Sequence, residues 1–248
     1  MDENIIKLLI LDLMIIICVY IIPIISFVRI IKFKRFSFLK KLMIVLLYIV
    51  AYMLIPSMYA NALPFVFIVI IFIKWKKENY YGSDFDRYNF DIKKFRIGKA
   101  LKYVLMAYLL IYLASFVSII VFSKFNIEVK AQEIVSILDS YNMWAFLITI
   151  PFTVIFAPVV EEFVFRYMLF QKLMRDGSRR KIPFFIAAFL VSMLFAVIHN
   201  SLSALPLLFT LSFFNCYLME KKGYWYCVFV HMFVNGVSMI SLLTDKII

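Results

Sequence analysis

The sequence predicts an all-α polytopic membrane protein with eight transmembrane helices, and three observations carry that prediction. Apolar residues make up 65% of the 248 residues and charged residues only 17%, against about 45–50% and about 25% in soluble domains. Mean hydropathy is +0.95. The apolar residues gather into runs of membrane-spanning length, and the 27 Lys and Arg that oppose 15 Asp and Glu fall in alternate connections between those runs.

A helix needs about 20 apolar residues to cross roughly 30 Å of hydrocarbon. The first run, Ile5 to Ile31, is long enough and carries Asp12 inside it. It is too long for a cleaved signal peptide and no A-x-A site follows, so it is expected to stay in the protein. Between Lys41 and Lys74 lie 32 residues without a charge, interrupted by Pro56, Asn61 and Pro64. Two short helices are expected there, near 42–57 and 60–74, joined by the Ser57–Leu63 turn. Tyr103 to Ser123 supplies a fourth span, and Met143 to Val160 begins a fifth. Ile182 to Met219 holds no Asp, Glu, Lys or Arg in 38 residues, and Asn200–Pro206 divides it into a sixth and a seventh helix. Gly223 to Thr244 gives the eighth.

Charge supports the count. Arg29, Lys32, Lys34, Arg35, Lys40 and Lys41 follow the first helix without an acid among them. Residues 74–102 hold nine basic and four acidic residues, Lys172 to Lys181 is again basic, and Lys221 and Lys222 follow the seventh helix. The opposite connections are poor in cations, the Glu128–Asp139 loop being acidic. Basic loops on every second connection match the positive-inside pattern and place both termini outside the cytoplasm of a multi-pass cell-membrane protein. The net charge of +12 is thereby assigned to the lipid bilayer's headgroups, and nucleic acid is not an expected partner. Lys74–Lys102 mixes basic residues with Tyr80, Tyr81, Phe85, Tyr88, Phe90 and Phe95, a composition suited to a surface segment at headgroup level. Cys18, Cys216 and Cys227 lie in apolar runs and are expected to act as small core hydrophobes.

Against this background, ionisable residues inside spans mark function, because each costs at least about 2.5–3.5 kcal/mol to insert at the membrane centre. The fifth span reads Pro158-Val159-Val160-Glu161-Glu162-Phe163-Val164-Phe165-Arg166. Arg166 lies four residues after Glu162, on the same helix face and within ion-pair reach. Glu161 is rotated about 100° away, which leaves it free for chemistry. Pro158 removes a backbone hydrogen bond just before the pair, so a kink is expected there. The sixth helix ends Phe195-Ala196-Val197-Ile198-His199, and the eighth carries His231 four residues before Asn235. Both histidines of the chain therefore sit in membrane helices beside other polar groups. A carboxylate and an imidazole sharing a water can take its proton as it attacks a peptide carbonyl. A second imidazole with an amide can donate to the resulting oxyanion.

At these residues the chain resembles the CAAX protease and bacteriocin-processing (CPBP, or Abi) family of intramembrane endopeptidases, the relatives of the Rce1-type prenyl protease. The family pattern, E-E-x-x-x-R, F-x-x-x-H and H-x-x-x-N or D, is met by Glu161, Glu162 and Arg166, by Phe195 and His199, and by His231 and Asn235. The resemblance covers about residues 143–240. It divides the chain into four N-terminal spans within 1–142, including the 74–102 loop, and a four-span catalytic core within 143–248.

The resemblance implies hydrolysis of a membrane-associated or lipidated peptide near its hydrophobic end. Glu161 and His199 would activate water and His231 and Asn235 would stabilise the oxyanion, with Glu162 completing the catalytic set and Arg166 its ion pair. A conical intramembrane cavity opening to the cytoplasmic side is expected. A zinc mechanism would draw on Glu161, His199 and His231. Asn235 is a poor zinc ligand and no H-E-x-x-H pattern is present, so a metal-free, glutamate-type mechanism is favoured and no cofactor is expected. Richness in Ile, Lys, Phe and Tyr suggests an AT-rich bacterial genome and hence peptide maturation or self-immunity. The competing readings are a non-catalytic immunity or scaffold protein of the same fold, and a transporter using the same residues as a proton relay. Lack of internal repeats weakens the transporter. One depth estimate does not close: counting from the flanking cations places Glu161 and His199 roughly 8–14 Å from the level of His231. A shared site demands that Glu161 and His231 lie well within about 12 Å of each other.

Overall fold

A computed structural model describes residues 3–30, 36–54, 59, 61–77, 84–127, 133–173, 175–176 and 179–247. The cations Lys32, Lys34 and Arg35, residues 57, 58 and 60 of the Ser57–Leu63 turn, Tyr80 and Tyr81, and residues 128–132 of the acidic loop lie outside them.

The regular secondary structure of the described residues is helical apart from a two-residue antiparallel ladder, β1 (Arg175–Asp176) with β2 (Arg179–Arg180). α1 (Glu3–Ile15) runs through a π-helical stretch at Ile16–Ile21 into α2 (Ile22–Ile30). Then follow α3 (Phe38–Leu54), α4 (Ala62–Lys77), a short α5 (Asp84–Arg87), a 3₁₀ turn at Ile92–Lys94 and α6 (Ile97–Lys124). After α7 (Glu133–Ser140), α8 (Met143–Pro151) passes through a π stretch (Phe152–Phe156) into α9 (Ala157–Glu162) and a second π stretch (Phe163–Leu173). α10 (Phe184–Val197), α11 (Leu205–Lys221) and α12 (Tyr224–Ile247) complete the chain.

Four of the described helical segments are long and apolar enough to cross a membrane: Leu9–Val28, Ile97–Lys124, Met143–Lys172 and Tyr224–Ile247. α3, α4, α10 and α11 are shorter, at 17, 16, 14 and 17 residues. α6 shows what surrounds the protein. Its outward side presents Leu105, Leu109, Phe116 and Ile119, each exposed over more than 60% of its surface. So wide an apolar face is stable against lipid and costly against water. The chain is a multi-pass membrane protein.

Local sequence sets the helix ends. The Asn142 side chain accepts from Ala145 N–H at 2.9 Å and caps α8. Pro183 precedes α10 and Pro206 opens α11, positions where a missing N–H costs nothing. α10 tightens at its end, with His199 N–H on the Ala196 carbonyl and Asn200 in the left-handed region at φ 48°. His199 therefore occupies the closing turn of α10. α10 packs on α11, and α11 in turn on α6 and α12.

The aromatic residues between α4 and α6 depart from the surface segment expected of them. Phe85, Tyr88 and Phe90 are buried, with Phe90 4.8 Å from the Tyr224 ring and 5.1 Å from Tyr167. The neighbouring Lys93 and Lys94 stay exposed. Alternation of basic and aromatic residues here sorts two faces of one segment, apolar inward and charged outward, and the segment braces the start of α12. Tyr224 N–H donates to the Tyr88 carbonyl at 2.8 Å, Trp225 Nε1 to the Phe90 carbonyl at 2.7 Å, and Asn89 Nδ2 to the Lys222 carbonyl at 3.1 Å.

Gly223 makes this close approach possible. Its φ is +95°, and a Cβ there would stand 2.4 Å from the Tyr88 carbonyl oxygen. Gly223→Ala is expected to destabilise the fold by at least about 1–3 kcal/mol through the strained backbone conformation, with the clash adding to it. Thermal unfolding in mild detergent measures this; an unchanged midpoint would mean that the α11–α12 turn re-seats without Tyr88.

All three cysteines are buried and none is in a disulfide among the described residues. Cys227 Sγ lies 3.2 Å from the Asn215 carbonyl, linking α12 to α11.

Candidate active site

α9 places Glu161 and Glu162 on different faces, as a 100° step per residue requires. Glu162 is fully buried and its Oε2 lies 2.9 Å from Arg166 Nε, also fully buried. The N–H does not point along that contact, so the pair is a charge contact more than an aligned hydrogen bond. Arg166 instead lays its guanidinium over the Phe195 ring, 4.7 Å from the centroid, and no hydrogen-bond partner for Nη1 or Nη2 occurs among the described residues. The other carboxylate oxygen, Glu162 Oε1, meets His231 Nδ1 at 2.8 Å and accepts from Asn215 Nδ2 at 3.1 Å.

Glu161 remains partly open, with 17% of its side chain exposed, and its Oε2 lies 3.7 Å from His231 Nε2. The two carboxylates therefore flank one imidazole, one on each ring nitrogen. Both carboxylates thus reach the level of His231, despite the offset expected from the flanking cations. After Glu162 the chain continues in π register over 11 residues to Leu173. Wider turns make that stretch advance less than the ~16 Å an α-helix of the same length would cover, which accounts for part of that offset.

His199 joins through Phe195. Its Nδ1 lies 2.7 Å from the Phe195 carbonyl, one turn back. A carbonyl can only accept, so Nδ1 carries the proton and Nε2 keeps its lone pair. The Phe195 ring is 4.7 Å from the His199 ring and 5.8 Å from that of His231, and so contacts both imidazoles. Among the described residues no carboxylate comes within 4 Å of His199.

Asn235, one turn beyond His231, donates Nδ2–H to the Thr153 carbonyl at 2.9 Å. Pro158 explains that bond. Ala157 N–H reaches back to Phe152 in the π turn. The next residue is Pro158, which has no N–H for Thr153, and the Asn235 amide takes its place. The proline expected to disturb the helix sits at the π-to-α junction.

Two contributors were not singled out from the sequence. Asn215, buried on α11, holds Glu162, and Tyr224 donates its hydroxyl to the Val159 carbonyl at 2.6 Å, two residues before Glu161. Neither belongs to a spaced motif, and the only sequence signal was the cost of burying an amide or a hydroxyl unsatisfied.

Glu161, Glu162, Arg166 and His231 thus converge, with His199 and Asn235 at the margins. Residues 143–237 match the family model for Type II CAAX prenyl endopeptidase Rce1-like. This segment is Rce1-like. The family is one of proteases, and the Rce1-like segment runs from the start of α8 into α12, taking in every residue of the cluster. No curated protein and no solved structure matches the chain.

A zinc centre at this cluster would need a full set of protein donors. Three protein ligands are usual at a catalytic zinc. Glu161 and His231 Nε2 supply two, but Glu162 is engaged by Arg166, His231 Nδ1 and Asn215, and no group of three or more His, Cys, Asp or Glu side chains placed to hold a metal ion occurs among the described residues. The donor set does not complete a metal site.

Proposed function

We propose that the chain is an intramembrane endopeptidase that cleaves a membrane-embedded or lipidated peptide with water activated by Glu161 and His199. One observation carries the reading: a partly exposed carboxylate, Glu161, lies 3.7 Å from His231 Nε2, while His231 Nδ1 is anchored 2.8 Å from a buried, Arg-paired carboxylate. An imidazole anchored on a buried carboxylate, with a partly open second carboxylate at its other nitrogen, is a proton-handling device.

In the proposed reaction, Glu161 draws a proton from water while His199 Nε2, whose lone pair is free, holds that water by accepting its other hydrogen. The water oxygen bonds to the scissile carbonyl carbon, whose oxygen becomes an oxyanion. His231 in its imidazolium form donates Nδ1–H to Glu162 and Nε2–H to the oxyanion. Asn235 adds its second amide N–H. The tetrahedral intermediate collapses with cleavage of the C–N bond, and the proton held on Glu161 passes to the departing nitrogen. Exclusion of bulk water by the surrounding helices strengthens each of these charge interactions.

The finer proposals follow from sequence and charge. All eight helical segments cross the membrane, both termini are extracytoplasmic, and the site opens to the cytoplasmic side that the basic loops define. The substrate is a bacteriocin-like or signalling peptide, or a CAAX-type prenylated tail. The mechanism is metal-free.

The test is reconstitution in liposomes with a farnesylated CAAX-type peptide and with an unprenylated hydrophobic peptide. Cleavage of either supports the protease, and a zinc chelator is expected to leave the rate unchanged. Strong inhibition that added zinc reverses would replace the metal-free mechanism with a metal-dependent one. Absence of cleavage, together with a cellular phenotype that survives Glu161→Ala and His199→Ala, would favour a scaffold.

A further inference from the structure

At the end of the bundle where α6 and α12 begin and α11 ends, a cavity of about 220 Å³ is lined by Lys94, Lys99, Lys221 and Lys222 together with Asn89, Phe95, Tyr103, Trp225 and Tyr226. None of the site residues Glu161, His199, His231 and Asn235 borders it. Four cations lining one cavity repel each other, and an anion placed among them would be attracted by all four. Lys94 has one, Asp86 at 2.8 Å. Lys99, Lys221 and Lys222 have no carboxylate within 4 Å among the described residues. Lys222 Nζ stands 5.8 Å from the Tyr103 ring centre, so its partner in the resting protein is an aromatic face.

The walls of the cavity are rigid. Trp225 is tied to the Phe90 carbonyl at 2.7 Å and Asn89 to the Lys222 carbonyl at 3.1 Å, and Phe95 and Tyr103 pack at 5.1 and 5.8 Å against Tyr226. The N-termini of α6 and α12 both face this end, adding the positive ends of two helix dipoles. The cavity also lies at a boundary. Below it α6 turns apolar and widely exposed, and Trp and Tyr beside Lys are the residues that settle at the headgroup layer.

We infer that this cavity binds the phosphate of an anionic phospholipid headgroup, with Lys99, Lys221 and Lys222 as its cationic ligands. Tyr103, Trp225 and Tyr226 form the wall against which the glycerol end of the lipid lies. The site stands apart from the protease reading, because it uses none of the residues assigned to hydrolysis.

The experiment reconstitutes the full chain in vesicles of phosphatidylglycerol and phosphatidylcholine in equal amounts, extracts it gently and measures the ratio of the two lipids retained. The wild type is expected to retain phosphatidylglycerol in excess, and Lys221→Gln/Lys222→Gln to cut that excess by about tenfold or more. Lys221→Arg/Lys222→Arg is expected to keep it, as is the control Lys40→Gln/Lys41→Gln on α3. A second arm adds inorganic phosphate to the detergent-solubilised protein and follows acylation of Lys221 and Lys222. Protection by vesicles alone assigns a lipid headgroup, and equal protection by phosphate alone assigns a soluble phosphate as the ligand. The proposal is overturned if wild type and the Gln variant retain the two lipids in the same ratio and phosphate gives no protection. It is overturned equally if the Gln variant changes only the KM for a peptide with an acidic flank.

Discussion

Glu161→Gln is expected to reduce peptide cleavage by about 10²–10⁴-fold, the range general-base catalysis contributes, while leaving the protein folded. The substitution keeps the size and polarity of the side chain and removes only its ability to hold a proton. Glu161 is the carboxylate of the pair that is open, at 17% exposed, and its nearest charged partner is His231 at 3.7 Å, too long for a direct hydrogen bond. Little of the fold therefore depends on its charge. Single-turnover cleavage of the farnesylated peptide in liposomes gives the rate, and thermal unfolding in detergent gives the stability. Cleavage within a few-fold of wild type would remove Glu161 from the chemistry. A collapse of stability equal to the loss of rate would make it a structural residue.

The adjacent carboxylate is expected to behave in the opposite way. Arg166→Met should destabilise the protein by about 3–5 kcal/mol, because it leaves a fully buried carboxylate without its countercharge. Loss of rate should follow loss of fold. Glu162 also accepts from His231 and Asn215, so its displacement would loosen α12 and α11 together. The double variant Glu162→Gln/Arg166→Met should recover much of the lost stability, since it removes both charges and keeps an acceptor for Asn215. Equilibrium unfolding of the single and double variants measures the coupling. If Arg166→Met alone unfolds like wild type, the pair is not what holds α9 in place. The two glutamates stand side by side in sequence, and these two variants separate their roles.

That separation was legible before any fold was known. Glu162 and Arg166 are four residues apart, and helical periodicity alone puts them on one face with Glu161 on another. The insertion cost of each charge marked the same segment as functional. The helical runs were readable for a similar reason. Lipid forces backbone polar groups to pair within their own segment, so long apolar stretches have few alternatives to a helix.

What escaped the sequence was everything that depends on which helix meets which. Asn215 and Tyr224 carry no motif, and their value lies in meeting Glu162 and the Val159 carbonyl across helix boundaries. Phe85, Tyr88 and Phe90 read as a surface stretch because their basic neighbours do. Only the approach of Tyr224 and Tyr167 turns their faces inward. The π stretches at Phe152–Phe156 and Phe163–Leu173 were likewise hidden. A helix takes that register when its neighbours make the wider turn affordable, and the Asn235 amide on the Thr153 carbonyl is one such neighbour.

By itself, then, the sequence determined a membrane-embedded helical protein, the charged pair within one helix, and the six polar residues around which a site would form. Each of those rests on spacing within a single helix or on the cost of placing polarity in hydrocarbon, and both act locally along the chain. The tertiary structure alone decided that His231 lies between two carboxylates, and that Phe195 packs against both histidines. It also brought together Lys94, Lys99, Lys221 and Lys222, residues up to 128 positions apart, around one cavity. Those arrangements depend on helix packing, and packing is set by the summed fit of many side chains rather than by any one spacing.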